Sequence, residues 1–201
     1  MRAAATLPHM SRLTRYLPVL GAAAVLGIGG AGANALATAG HHGVRAAGDE
    51  HAYSPFDEKW LQSSIEGDRF EIAGGKLAQE KGASEGIKAY GARLVADHTK
   101  SLQDAINLAQ RLGIEVPKAP TQEQQAILEL LSKFSGTRFD NAYADVEAAD
   151  HQQDISEAKD EVQKGSNEDI RHEAANEIPT LQEHLKIAVQ LNGDLVTDPL
   201  G

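Results

Sequence analysis

The sequence contains no cysteine, and this absence excludes two ways of stabilising a fold. Without cysteine the chain can form neither disulfides nor thiolate metal ligands, so any metal site must use His, Glu or Asp side chains. A lipid-modified N-terminal cysteine is excluded for the same reason. Aromatic residues make up only 4% of the chain, whereas Ala, Glu, Gln, Lys and Leu are plentiful. This composition favours helices over a sheet.

Basic residues are also scarce, because 19 Lys and Arg face 29 Asp and Glu, for a formal net charge of −10. The first 37 residues contain three arginines and no acid, so the rest of the chain carries −10 − 3 = −13. A surface this acidic repels nucleic acids and anionic membranes at long range. We therefore expect no nucleic-acid partner, and no motif in the sequence identifies a protein partner.

Residues 1–37 have the features of a secretory signal peptide. Arg12 and Arg15 precede an uncharged run, and the segment Ala35-Leu36-Ala37 provides small residues for cleavage. The alternative is an uncleaved membrane anchor, which the Gly- and Ala-rich second half of the run disfavours. We predict an exported protein, periplasmic or associated with the cell envelope, with membrane attachment if this segment is retained.

Residues 38–54 show no periodicity and are predicted to be a flexible spacer. Glycine, proline and capping signals then predict a helical domain over 55–192 and a C-terminal tail over 193–201, with helices near 57–81, 84–112, 121–134, 137–164 and 167–192. Tight turns at Gly82 and Gly165 join two antiparallel pairs, and a long connection with its own short helix links the pairs. The predicted fold is all-α: a ferritin-like four-helix bundle.

Three histidines each follow an acid, in the pairs Asp97-His98, Asp150-His151 and Glu183-His184. Consecutive helical residues lie about 100° apart, so only one member of each pair can face the core. The histidines lie on the apolar faces of their helices. We therefore predict that they point inward and that the three acids point away.

Two glutamates are predicted to join these histidines. Glu71 lies in the middle of the small, apolar face of the first helix, where an unpaired carboxylate would be very costly. Glu147 precedes His151 by one turn. Since these positions lie near the midpoints of antiparallel helices, we predict that the glutamates and histidines meet at the bundle centre, namely Glu71, His98, Glu147, His151 and His184.

Three segments of the chain carry a resemblance to a known family: "EIAGGKLAQEKGASEGIKAYGARLVADHTK", "FDNAYADVEAADH" and "IPTLQEHLKIA". Over residues 56–192 the chain resembles the exported bacterial family called domain of unknown function 4142. The resemblance implies a ferritin-like fold and an envelope location, because members are often labelled membrane or outer-membrane proteins. The family has no settled activity. Its motif positions are occupied here by Glu71, His98, Tyr143, His151, Pro179 and His184.

The candidate site differs from that of di-iron bundles, which use a Glu-x-x-His motif on each of two helices. Here Val95, Ala148 and Leu181 precede the histidines by three residues. Three histidines with one or two glutamates would instead suit a single Zn, Cu or Fe ion.

Two other interpretations remain open. The His and Glu side chains could form a purely structural buried polar layer that marks the register of the helices, in a non-enzymatic envelope or stress-associated protein. An enzyme is the third possibility, but the sequence contains no nucleophile motif and no phosphate loop. The pattern therefore favours a protein without catalytic activity.

Overall fold

The computed structural model describes residues 52–197, with side chains up to residue 193. The helices are α1 (Pro55–Lys81), α2 (Glu85–Leu112), α3 (Gln122–Ser132), α4 (Gly136–Lys164) and α5 (Glu168–Thr197). No strand occurs in this part of the chain, so the predicted all-helical class is confirmed. The predicted signal segment 1–37 and spacer residues 38–51 lie outside the described residues. None of the described helices combines the length and apolar character needed to cross a bilayer.

Side-chain caps explain where several helices begin. The Ser54 and Thr121 hydroxyls accept backbone N–H groups at the starts of α1 and α3, and Ser84 does the same for α2. These bonds satisfy donors that have no partner within the helix. At the other end of α2, Gly113 ends the helix in the left-handed conformation with φ of 71°. α5 continues to Thr197, past its predicted end at 192.

The directions of the long helices follow from a few contacts. α1 packs mainly against α2, and α4 against α5, with a chain reversal inside each pair. The Tyr90 hydroxyl of α2 donates to the His184 carbonyl of α5, whereas Arg111 near the end of α2 pairs with Asp169 near the start of α5. α2 and α5 are therefore antiparallel. α1 is also antiparallel to α4, because its start contacts the turn after α4 and the turn at its end contacts the start of α4. Since α1 is antiparallel to both α2 and α4, these two helices run in the same direction.

Helices α1 and α2 approach each other closely where Gly75 faces Gly91. A Cβ atom on Gly75 would lie 2.5 Å from the Gly91 carbonyl oxygen. Glycine costs about 1 kcal/mol relative to alanine inside a helix. Close packing of the two backbones explains why the chain keeps glycine at this crossing.

Two aspartates tie each helix pair to the turn of the other pair. Asp57, in the first turn of α1, accepts the N–H groups of Ser166 and Asn167 in the α4–α5 turn. Asp140, near the start of α4, accepts the N–H groups of Ala83 and Ser84 in the α1–α2 turn. The same pattern is visible in the sequence as a repeated Phe-Asp followed at equal spacing by Lys-Gly.

The core consists of two apolar clusters separated by a polar layer. One cluster lies towards the α4–α5 turn and includes Trp60, Leu61, Leu108 and Ile170. The other lies towards the α1–α2 turn and includes Ile87, Leu94, Phe139, Tyr143 and Leu131 of α3. Between them, each long helix contributes buried polar or charged side chains near its midpoint. This layer contains the candidate site.

Candidate metal centre

Three histidines from three helices meet in the polar layer. The ring centroids of His98 and His151 are 5.8 Å apart, those of His98 and His184 are 5.2 Å apart, and those of His151 and His184 are 5.3 Å apart. His98 is 5% exposed, and the other two are fully buried. Their positions on the apolar faces of α2, α4 and α5 bring the rings together, because these faces turn towards the same interior.

One nitrogen of each ring has an oxygen partner. His98 Nδ1 lies 2.8 Å from Asp68 Oδ1, and His184 Nε2 lies 2.8 Å from Asp97 Oδ2. His151 Nδ1 lies 2.9 Å from the Glu147 carbonyl oxygen. The Glu147 carbonyl and the Asp97 carboxylate, whose pKa is lowered, are acceptors, so His151 Nδ1 and His184 Nε2 carry the protons of the neutral rings. The lone pairs of these rings are therefore assigned to His151 Nε2 and His184 Nδ1. Burial raises the pKa of Asp68 well above its usual value, and His98 presents a lone pair on Nε2 when Asp68 is ionised.

The lone-pair nitrogens are directed into a common space. His151 Nε2 and His184 Nδ1 are 3.3 Å apart, and His98 Nε2 is buried without a hydrogen-bond partner. Each histidine offers one nitrogen within 4.8 Å of the other two. Burial lowers the pKa of His151 to about 3, reinforced by His98 and His184, and lowers the pKa of each of those two to about 4. The rings are therefore neutral at pH 7 and suited to accept a cation.

Glu71 and Glu147 lie on the other side of the His151 ring. Both are fully buried, and their carboxyl oxygens are 3.8 and 3.7 Å from His151 Nδ1. Burial raises the pKa of Glu147 to about 8. Burial, followed by the charges of Glu147 and Asp150, raises the pKa of Glu71 well above its usual value. This carboxyl pair is therefore held largely protonated near neutral pH.

The five predicted ligands thus divide into two sets that share one residue. His98, His151 and His184 form one set, and Glu71, Glu147 and His151 form the other, each with ligand atoms within 4.8 Å of one another. The prediction treated all five as one cluster. The two nitrogens of His151 point in opposite directions across the ring, which separates the nitrogen set from the carboxyl set.

The prediction that Asp97 and Asp150 point away from the centre is wrong. Asp97 is at the edge of the site and bonds His184 of a neighbouring helix. Asp150 has a buried oxygen without a partner and lies close enough to Glu71 to raise its pKa. Helical geometry separates an acid from the histidine beside it, but does not prevent the acid from meeting a residue of the next helix. Glu183 is 44% exposed.

Asp68 is a site residue that the sequence interpretation missed. It is only 4% exposed, and its Oδ1 contacts the His98 ring. Its position three residues before Glu71 places both acids on one side of α1. This spacing is the signal in the sequence that points to Asp68 as a site residue. Only the packing of α2 against α1 shows that His98 is the partner of Asp68.

The helices and this centre define a class: an all-helical protein with a buried cluster of three histidines supported by carboxylates. The chain belongs to the family described as "Domain of unknown function (DUF4142)", which matches residues 42–191. That range contains every residue of both ligand sets. No curated protein and no solved structure matches the chain.

Proposed function

We propose that the protein binds a single transition-metal ion, of the Zn²⁺ or Cu²⁺ type, through His98 Nε2, His151 Nε2 and His184 Nδ1. Neutral imidazole nitrogen is a preferred ligand of these ions, and a cluster without sulfur has no competing soft ligand. Three protein ligands leave a fourth position for water or a small ligand. The protein would act as a metal-binding protein of the cell envelope rather than as an enzyme.

The observation that carries this proposal is the hydrogen bonding on the outer side of each ring. Metal-bound histidines donate their second N–H to a carboxylate or a carbonyl, which fixes the tautomer and turns the free nitrogen towards the ion. Asp68, Asp97 and the Glu147 carbonyl occupy these three acceptor positions. A structural layer has no need of three rings that each direct a lone pair into the same space.

The distance between two of the ligand nitrogens also suits a metal ion. A tetrahedral zinc with bonds near 2.05 Å to nitrogen places its ligands about 3.3 Å apart. His151 Nε2 and His184 Nδ1 are separated by 3.3 Å. Each of the three histidines offers one nitrogen within 4.8 Å of the others, so a small movement of the His98 ring would complete the set.

The carboxyl set would serve this ion indirectly. Glu71 and Glu147 face Nδ1 of His151, which is the nitrogen directed away from the other two histidines. In this arrangement they do not share the coordination sphere of the nitrogen-bound ion. They would instead hold the His151 ring in position and keep the surroundings polar but uncharged.

We also propose that the four long helices form a ferritin-like bundle and that the protein is exported. Support for the bundle comes from the two antiparallel pairs, the parallel run of α2 and α4, and the crossover that contains α3. Support for export is the basic start and apolar run of residues 1–37. N-terminal sequencing of the protein from its native host tests the second point, since a start near residue 38 is expected.

Metal titration of protein purified without a histidine tag tests the proposed function. Metal-free protein is titrated with Zn²⁺, Cu²⁺ and Fe²⁺ against a competing chelator, and one high-affinity ion per chain is expected. His184→Gln should weaken binding at least about 10-fold, the effect typical of losing even a supporting residue. His172→Gln is the matched control, because His172 lies on the same helix but is exposed.

Two results would contradict the metal centre. One is a stoichiometry that does not exceed the weak background of the spacer histidines His41, His42 and His51. The other is equal affinity in the His184→Gln and His172→Gln variants. Either result would favour the structural layer as the role of the three buried rings.

A further inference from the structure

A cavity of about 480 Å³ opens beside the histidine centre. Small-molecule sites in proteins have volumes of roughly 300–1,000 Å³, so the cavity is large enough for an organic ligand. Asp68, His98 and His184 border it, and apolar surface comes from Trp60 and Leu181. The other notable feature of its wall is a set of carboxylates from three helices: Asp104, Asp154, Glu157, Glu173 and Glu177.

The basic residues of the cavity wall form an ion pair with only one of these five acids, Asp104. Arg93 and Lys100 line the cavity, but Arg93 pairs with Asp97 and Lys100 pairs with Asp104. Within residues 52–193, neither Asp154 nor Glu177 forms an ion pair with a basic side chain. Burial and the nearby negative charges raise the pKa of Glu177 to about 8 and hold the pKa of Asp154 well above its usual value. An ammonium group would relieve this mutual repulsion and keep the carboxylates ionised, so the cavity favours a bound cation.

Glu177 is held in place at the wall. Its Oε1 accepts hydrogen bonds from the hydroxyls of Ser64, at 3.0 Å, and Ser101, at 3.3 Å. These donors come from α1 and α2, whereas Glu177 belongs to α5. The carboxylate is therefore positioned by two neighbouring helices, as expected for a binding group rather than a freely solvated surface acid.

Asp68 provides a separate indication that the cavity takes a ligand with N–H donors. This residue is 4% exposed, and one of its oxygens accepts from His98. The other oxygen, Oδ2, is buried without a hydrogen bond of normal geometry in the described part of the chain, and the hydroxyl of Ser101 is the nearby donor that lowers the pKa of this carboxyl against the effect of burial. An unpaired buried carboxylate oxygen is costly, so a donor placed in the cavity would be bound favourably.

The spacing of the acids disfavours a directly chelated metal ion as the occupant. Among the described residues, only the two histidine-containing sets have ligand atoms within 4.8 Å of one another. The carboxylates of the cavity wall form no third set of this kind. Glu173 and Glu177 are one helical turn apart, or about 6 Å along the axis. Charges distributed in this way match a cation whose positive groups are themselves separated.

We propose that this cavity binds a linear aliphatic di- or polyamine, with ammonium groups paired to Asp68, Asp154 and Glu177. Each terminal ammonium group carries three N–H donors and each inner one carries two, which suits carboxylates and the hydroxyls of the cavity wall. The methylene segments between the ammonium groups would lie against Trp60 and Leu181. Because Glu177 and Asp154 are not among the proposed metal ligands, this inference does not depend on the metal centre.

Isothermal titration of metal-free protein with the triamine spermidine tests the proposal. Saturable binding of one molecule per chain is expected. Glu177→Gln keeps the size of the side chain and removes its charge, and we expect at least about a 10-fold loss of affinity, equivalent to about 1.4 kcal/mol. Glu183→Gln is the matched control, because Glu183 lies on the same helix, is 44% exposed and does not line the cavity. Its effect should remain below about 2-fold, as expected for an exposed charge.

A replacement variant and a competing cation complete the experiment. If Glu177→Gln does not fold, as judged by circular dichroism, Asp154→Asn replaces it with the same expectation. Mg²⁺ at matched ionic strength is the competing cation: displacement of spermidine by an equal concentration of Mg²⁺ would overturn the amine site in favour of a hydrated metal ion. Equal affinity in Glu177→Gln and Glu183→Gln would also overturn it.

Repeating the titration on His151→Gln separates this proposal from the metal centre. His151 is a proposed metal ligand but does not line the cavity. Spermidine binding that persists in this variant supports an independent amine site. Loss of spermidine binding in a folded His151→Gln variant would show that the amine binds at the histidines, and would overturn the assignment.

Discussion

Nε2 of His151 lies 3.3 Å from Nδ1 of His184, and both atoms carry lone pairs because the opposite nitrogens donate to oxygens. Burial lowers the pKa of both side chains, so neither ring carries a second proton at pH 7. Two lone pairs that face each other in a low-dielectric interior repel. A cation bound between the two nitrogens would replace this repulsion with attraction and should therefore stabilise the folded protein.

Metal should raise the stability of the folded protein. An ion that binds only the native state adds about 2.7 kcal/mol when its free concentration is 100 times its dissociation constant. Thermal unfolding with and without Zn²⁺ should therefore show a clear upward shift of the midpoint. The shift should disappear in His184→Gln and persist in His172→Gln. An identical shift in these two variants would mean that zinc acts elsewhere.

Asp97 should support metal binding although it contacts no metal. Its carboxylate holds Nε2–H of His184 at 2.8 Å and so fixes the ring that presents Nδ1. Loss of such a partner typically weakens metal affinity 10–100-fold. We expect Asp97→Ala to show a loss of this order in a chelator competition assay. Glu183→Ala, which removes the acid directly before His184, should bind as tightly as the parent protein; a comparable loss there would indicate a general charge effect.

Glu161 should make stability depend on pH. Its side chain is fully buried. Burial, followed by the neighbouring negatively charged Asp57, raises the pKa of Glu161 to about 7. Because this folded-state pKa exceeds the ordinary value of 4.5, the stabilising contribution is complete below pH 4.5 and is lost as the pH rises through 7. Glu161→Gln should therefore be more stable than the parent at pH 8.

Urea unfolding at pH 5.5 and pH 8 measures this effect. The parent should lose free energy of unfolding between the two pH values, and Glu161→Gln should lose less. Asp160→Asn is a suitable control, because Asp160 is a half-exposed neighbour that pairs with Lys164 and should contribute little. A pH dependence that is unchanged by Glu161→Gln would exclude this carboxyl as its source.

Two glycines of α1 should respond to alanine in opposite directions. Gly75→Ala would place Cβ 2.5 Å from the Gly91 carbonyl oxygen, so the helices must separate, at a cost of about 1–3 kcal/mol. Gly67→Ala meets nothing within 4 Å and should gain up to about 1 kcal/mol of helix propensity. Denaturant unfolding curves of both variants test the contrast. A similar loss of stability in both variants would contradict the close contact of α1 and α2 at Gly75.

The local elements were predictable from the sequence because their signals are local. Glycines such as Gly82 and Gly165 end helices, and capping residues such as Thr121 begin them, through bonds within a few residues. Asp140, by contrast, accepts from the distant α1–α2 turn, a contact that no local signal specifies. The Phe-Asp and Lys-Gly pairs recur at equal spacing in the sequence, but the repeat alone does not show which turn each aspartate contacts.

The sequence by itself determined the helices, the tight turns and the inward direction of the three histidines, since these depend on residues within one or two turns. Only the tertiary structure decided which atoms meet: Asp97 with His184, Asp68 with His98, and the division of the five ligands into a nitrogen set and a carboxyl set. The physical reason is that helical periodicity fixes the face on which a side chain lies, whereas the rotation and axial offset of neighbouring helices fix its partner. Those offsets depend on close contacts such as Gly75 with Gly91, which no single segment specifies.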